Sequence, residues 1–352
     1  MSRKSFSYKD KPWLKFYDKG VPEFVKFTDC TLNDYFDEAI NKFSKRVAFV
    51  SQGYEMTYEE LGEITYRFAN CLFDFGINKG DRVAIHLPNI LHCVIAYYAV
   101  MKIGGIAVTH NPLYSPAELE YQFNDSGAKV VITLDLFGNT IIDLRSKTQV
   151  RQIVCVSLKD YLPSSVDPNT VLSAEPKQAE DVYKWKDLIS KYSSNPPKVQ
   201  ITSEDIAQLQ YTGGTTGISK GAMLTHSNLT KQLQQIDAWD TTIQRGDELT
   251  MVGALPFFHV YGLSTVMNLN IYDGFKTILT GRPTPESLID IFQKYRPQIA
   301  CLVPTMYIGM LNHPDFSKLD LTCVKRLMCG SAPLPIEVIK AYEDKAGVHI
   351  NE

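Results

Sequence analysis

"YTGGTTGISKGAMLTH", Tyr211 to His226, holds four glycines, four threonines and one lysine in sixteen residues. Glycine and threonine at this density suit neither a helix interior nor a core strand. The flanks, "IAQLQYT" and "GAMLT", alternate like strands, so the run reads as a loop joining two strands. Gly213, Gly214 and Gly217 let the backbone turn bare N–H groups toward an anion. Thr212, Thr215 and Thr216 add hydroxyls, and Lys220 adds a full positive charge. On composition alone the stretch is either a phosphate-binding loop or a glycine-rich surface turn.

The Walker pattern G-x-x-x-x-G-K-[ST] fails in every register. From Gly213 the second glycine position holds Ile218, from Gly214 it holds Ser219, and from Gly217 it holds Ala222. Lys220 also precedes a glycine instead of following one. A Walker-type phosphotransferase is therefore disfavoured.

Outward from the loop, strand-like and helix-like segments alternate from about residue 31. Residues 31–43 carry Leu32, Tyr35, Phe36, Ala39, Ile40 and Phe43 on one helical face. "VAFV" (47–50) reads as a strand. Thr57 and Glu60 stand at capping-box spacing before a helix that stops near Gly76. "RVAIHL", "KVVITLD" and "QIVCVSL" read as strands, and Ser115-Pro116 opens a helix that ends at Gly127. Residues 159–200 break the alternation with a Pro/Ser/Asp-rich loop, a short amphipathic helix in "DVYKWKDLISKY" and a connector. Beyond it, "ELTMVGALP", "FKTILT", "IACLVP" and "VKRLMCG" suggest strands, and "SLIDIFQKY" and "IEVIKAYEDKA" suggest helices. The expected fold class is α/β, with layered, mostly parallel sheets flanked by helices. The expected subdomains are residues 1–199 and 200–352.

Bulk properties narrow the function classes. The 352 residues, 44% hydrophobic, suffice for about two globular units. A net charge of −3 lacks the basic footprint of a nucleic-acid binder. The seven cysteines are scattered without a CxxC pair, which suits a reducing, cytoplasmic setting and suggests no disulfide framework. The most apolar stretch, "CVIAYYAVM" (93–101), is far short of the roughly 20 residues of a membrane span. Peripheral membrane association and assembly as a homodimer stay open. The histidines show no metal-ligand spacing, so no site built from protein ligands alone is expected.

The whole run 211–226 resembles the phosphate loop of the adenylate-forming acyl-CoA synthetases, and is most like that of bacterial-type long-chain fatty acid–CoA ligases. "GDRVAIHLPN" (80–89), "NPLYSPAELEYQFNDSGAKVVI" (111–132), "LPFFHVYGL" (255–263) and "CGSAPLP" (329–335) resemble further family motifs, in the family's order. The resemblance implies a two-step reaction. A fatty acid carboxylate attacks the α-phosphorus of ATP, giving acyl-AMP and pyrophosphate, and coenzyme A then displaces AMP. It implies that Gly213, Gly214, Thr215, Thr216, Gly217 and Lys220 hold phosphates, and that Thr212 meets Mg2+. Gly330, Ser331, Ala332 and Pro333 would meet adenine, with an ordinary strand–turn–helix junction as the plain alternative. His259 would orient the carboxylate, against a buried core histidine, and Tyr261 would line the acyl pocket, against core packing. Arg282 would meet coenzyme A phosphate, against a solvated loop arginine. An aryl acid, as in the 4-coumarate ligases, is the rival substrate class, and a non-catalytic nucleotide- or acyl-binding module is the rival function. Family members continue past the equivalent of "VHINE" (348–352) with further nucleotide ligands and a C-terminal domain bearing a lysine. The resemblance thus implies an N-terminal fragment, inactive by itself.

Overall fold

The computed structural model describes residues 8–213 and 218–352. Fourteen strands follow in chain order among them: β1 Val47–Ser51, β2 Tyr54–Thr57, β3 Arg82–His86, β4 Ile106–Thr109, β5 Val130–Leu134, β6 Gln152–Val156, β7 Val182–Lys184, β8 Ile206–Thr212, β9 Lys220–Thr225, β10 Thr250–Gly253, β11 Lys276–Leu279, β12 Ile299–Leu302, β13 Arg326–Cys329 and β14 Ile350–Asn351. They form two seven-stranded sheets, ordered β14-β13-β12-β10-β11-β1-β2 and β7-β6-β5-β3-β4-β8-β9. Each sheet is parallel except at one edge, where β2 runs antiparallel to β1 and β9 antiparallel to β8. The layered, mostly parallel α/β architecture expected from the alternation is the one observed.

The two faces of each sheet go to different cores. On the second sheet, Val83 and Ile85 point into a core shared with Met251 and Cys301 of the first sheet, whereas Ala84 packs with Val131 and Phe123 on the outside. On the first sheet, Met251 points inward and Val252 outward, against Leu288 and Phe292 of the helix Pro285–Tyr295. The period-2 alternation of strand side chains thus builds five layers: outer helices, sheet, inner helices, sheet, outer helices. The inner layer includes the helices Leu32–Lys42, Tyr58–Asp74 and Leu91–Lys102. The last of these contains the apolar "CVIAYYAVM", and all of its residues are buried.

Strand membership crosses the expected 1–199/200–352 division. β8 pairs with β4, and β1 pairs with β11. The 199/200 point therefore lies in a connector and is not a sheet boundary.

Local signals hold unevenly. Ser115 and Glu118 form a reciprocal capping box on the helix Pro116–Ser126, and Gly127 ends it at φ 63°. At Thr57 only half of the box forms: its side chain accepts from the Glu60 N–H, while the Glu60 carboxylate accepts from the Tyr54 hydroxyl. The amphipathic helix expected within 181–192 is shorter than its pattern. Val182–Lys184 instead pairs with β6 at the sheet edge, and the helix spans only Trp185–Ile189. An unpaired edge next to Asp181, in a left-handed conformation at φ 57°, favours the ladder over helix.

One buried acid gives a pH-dependent test. Burial, reinforced by Asp237 and partly offset by Arg245, pushes the Asp273 carboxyl up to about 8. A carboxyl raised above its unfolded value near 3.9 contributes stability that is complete below that value and lost as pH rises through about 8. In urea unfolding series, Asp273→Asn should therefore gain on the parent by a few kcal/mol between about pH 4 and pH 8. A stability difference that stays flat over this window would show that Asp273 is ionised in the folded protein.

Candidate functional site

β8 ends at Thr212 and β9 begins at Lys220, and these two residues are register partners in the antiparallel pair. The loop between them is thus the turn of a β-hairpin, as the strand-like flanks suggested. Gly214, Thr215, Thr216 and Gly217 lie outside the described residues. Thr212, Gly213 and Lys220 are exposed, and an added Cβ at Gly213 would meet nothing within 4 Å. Cross-strand partners share a sheet face, so Thr212 and Lys220 leave the hairpin on the same face.

Alternation along β8 decides what this face looks at. Gln208 and Gln210 lie on the same side as Thr212. Gln208 accepts from the Tyr97 hydroxyl at 3.0 Å and donates to the Gln210 side-chain oxygen at 2.7 Å, and Gln210 donates to the Phe258 carbonyl at 2.9 Å. The Thr109 hydroxyl donates to the same carbonyl at 3.3 Å. Two buried polar side chains at the ends of β4 and β8 therefore hold the residue before His259. On the other side, buried Asn89 donates to the Gly253 and Leu255 carbonyls at 3.0 and 2.7 Å and accepts from the Phe257 N–H at 2.9 Å. Asn89 fixes the segment leaving β10 by satisfying three backbone groups with one amide.

His259 is not a core histidine. It is exposed and caps a short helical turn, its Nδ1 accepting from the Tyr261 N–H at 3.2 Å. That bond makes Nδ1 the acceptor and leaves Nε2 free to donate in the neutral ring. A π-helical segment, Leu263–Asn268, follows immediately, and such segments often mark sites where a helix is re-aimed.

Tyr261 reaches the third element. A Cβ added at Gly330 would come within 2.7 Å of its ring, so the ring packs against the bare Gly330 backbone. Burial pushes the Tyr261 phenol up, keeping it neutral. Gly330 donates to the Leu302 carbonyl at 3.2 Å, and the next residue, Ser331, has a left-handed φ of 74°. A non-glycine residue in that region carries strain, which clusters at ligand sites. Ser331, Ala332 and Pro333 are exposed, while Leu334 is buried and its N–H donates to a Glu352 carboxylate oxygen at 2.6 Å.

Thr212, His259 and Gly330 follow or close the C-terminal ends of β8, β10 and β13, the edge where open α/β sheets bind ligands. Arg282 follows β11 in the same sense and is exposed, without a side-chain partner among the described residues. The turn before it lies beside Pro88 and Asn89. Sequence reasoning quoted Asn89 at the end of "GDRVAIHLPN" without a role, and gave none to Gln210. Their signal was a polar residue within or just past an apolar strand, with no spacing that sets it apart.

The comparisons agree on a family. The family model described as "AMP-binding enzyme" matches residues 36–352. The chain is 38% identical over 346 residues to a long-chain-fatty-acid–CoA ligase of Bacillus subtilis, covering 96% of this chain and 61% of that protein. It is 33% identical over 356 residues to an Escherichia coli protein of the same name, covering 97% and 63%. It thus spans less than two thirds of the length of these relatives. A crystal structure of an anthranilate CoA ligase in complex with anthranoyl-AMP shares the fold at TM-score 0.80 and 22% identity, covering 92% of this chain and 60% of that one.

Asn89→Ala should strip three backbone groups of their partner. Buried unsatisfied groups cost about 1–3 kcal/mol each, with relaxation recovering part, so a loss of about 2–4 kcal/mol is expected in denaturant unfolding. An unaltered midpoint would mean that the segment before His259 is held by other contacts.

Proposed function

The chain belongs to the AMP-binding enzyme family, and from that premise we propose that the protein activates a medium- or long-chain fatty acid with ATP, through acyl-AMP, to acyl-CoA. The observation that carries the reading is the cross-strand pairing of Thr212 with Lys220 at the mouth of a hairpin whose β8 is bonded to the His259 segment. Lys220 and the glycine loop, Gly213 with Gly214, Thr215, Thr216 and Gly217, hold the β- and γ-phosphates. Charge builds on the departing pyrophosphate, and donors fixed before reaction stabilise it best. His259 orients the attacking carboxylate through its free Nε2. Tyr261 lines the acyl pocket, Gly330, Ser331, Ala332 and Pro333 receive adenine, and Arg282 meets a coenzyme A phosphate. Thr212 offers a single exposed hydroxyl, too little for a dedicated metal site but suited to Mg2+ already carried on the triphosphate. When bound, that ion screens the phosphate charge.

A reducing cytoplasm suits seven free thiols. No helix among the described residues is long and apolar enough to cross a membrane. The names of the two curated relatives support an aliphatic acid over an aryl one.

Acid-dependent exchange of labelled pyrophosphate into ATP by the whole protein tests the reading. Lys220→Ala removes one charge-assisted contact worth about 1.5–3 kcal/mol and should cut exchange roughly 10- to 150-fold with the fold intact by circular dichroism. Unchanged exchange would take Lys220 out of the site. Across a series of acids, kcat/KM should rise with chain length, since each buried methylene adds about 0.8 kcal/mol. A flat series with cinnamate or benzoate preferred would move the protein to the aryl class.

A further inference from the structure

The far face of the hairpin is braced by one helix. Tyr211 lies opposite Thr212 in the alternation of β8, and its hydroxyl donates to Asp125 Oδ2 at 2.5 Å. Four residues earlier on the helix Pro116–Ser126, the Tyr121 hydroxyl donates to the Ser219 carbonyl at 2.9 Å. Residues 121 and 125 share a helix face, so one rigid face grips both ends of the loop: the residue before Thr212 and the residue before Lys220. The Tyr211 ring is itself fixed. A Cβ added at Gly221 would sit 3.2 Å from it, so it lies on the β9 backbone, and His110 stacks on it at 6.3 Å between centroids. Buried His110 is in turn bonded to Gln122 of the same helix at 2.7 Å.

We propose that Tyr121 and Asp125 are positioning residues for the anion-binding pair Thr212 and Lys220, setting the separation of the two strand ends so that the pair meets a polyphosphate already in place. The inference rests on the reading of Thr212 and Lys220 as a polyphosphate site. Neither positioning residue touches the phosphates. Both act through the hairpin, Asp125 by way of Tyr211 and Tyr121 by way of the Ser219 peptide. Burial first, and Asp125 second, push the Tyr211 phenol up, so it stays a donor at neutral pH and Asp125 stays its acceptor. Asp125 has no cation within ion-pair distance among the described residues. Its carboxylate charge does not help bind an anion, and what it contributes is the hydrogen bond that fixes β8. A preorganised pair binds more tightly because less freedom is lost on binding.

The test is calorimetric titration of the whole protein with Mg·pyrophosphate and, separately, with AMP. Tyr211→Phe and Asp125→Ala should each weaken pyrophosphate about tenfold, as expected for a hydrogen bond to a charged acceptor, and Tyr121→Phe about threefold to tenfold. Asp125→Asn, which keeps an acceptor, should fall between parent and alanine. Tyr211→Phe combined with Asp125→Ala should be no worse than either alone, because they remove one bond. The Kd for AMP, which is read at the Gly330–Pro333 turn, should not move. A purely structural role would weaken both ligands together and would overturn the proposal. So would unchanged pyrophosphate binding, or tighter binding on losing the Asp125 charge. Variant-sensitive pyrophosphate binding in a parent protein without acid-dependent exchange would remove the proposed reaction but leave the positioning role standing.

Discussion

The structure depends on the burial of one helix on all sides. Every residue of Leu91–Lys102 is shielded, and its side chains fill the core between the two sheets. A helix apolar all round has no face to offer water, so it must be covered by something on each side. Here the cover is the neighbouring helices Leu32–Lys42 and Tyr58–Asp74 together with the two sheets. The one charge within the buried helix lies where the layer meets solvent, since its partner Asp37 is half-exposed. Lys102 is buried and donates to Asp37 at 2.5 Å, and Asp37 also accepts from Tyr66 at 2.9 Å. A buried ammonium without such partners would be strongly destabilising. Hydrophobic burial and one satisfied ion pair thus lock the inner helices between the sheets.

Stacking the sheets brings two C-terminal strand edges to one cleft, but it does not align them to within an ångström. Polar side chains do that. Gln210 and Thr109 of the second sheet converge on the Phe258 carbonyl, which belongs to a segment leaving the first sheet. Asn89, just past β3, reaches the backbone that follows β10. These bonds cross between sheets, and those of Thr109 and Asn89 join residues more than a hundred positions apart in sequence. Apolar packing is non-directional and tolerates sliding; a buried amide bonded to three backbone groups does not.

The sequence revealed what is local and little of what is relayed. The hairpin nature of the 211–226 run followed from its flanks, and the Ser115–Gly127 helix from its caps. Capping and turn chemistry act over three or four residues, so one sequence suffices to read them. The exchange of strands between the halves was not readable, because pairing of β1 with β11 is a contact between residues more than two hundred positions apart. The short β7 was hidden inside a helical pattern, since three residues carry no period of their own. At the site, the residues singled out include the exposed Thr212, Lys220, His259 and Ser331 and the half-buried Tyr261 and Gly330. Those that hold them, Asn89, Gln210, Tyr121 and Asp125, have no distinguishing spacing. Their roles exist only once the fold has placed their partners.

The failed Walker register has a structural counterpart. In a strand-to-helix phosphate loop, the helix N-terminus supplies free N–H groups and a positive dipole end. β9 is a strand, and the helix His226–Trp239 starts only after it, so no helix dipole stands at the loop. On the proposed reading, positive charge must then come from a side chain, and Lys220 stands at the hairpin mouth. The helix Pro116–Ser126 bonds both strand ends of the hairpin from outside, Asp125 to Tyr211 and Tyr121 to the Ser219 carbonyl. On the proposed reading, an antiparallel edge, a lysine and an external brace are one solution to one constraint: holding an anion where the backbone offers no dipole to hold it.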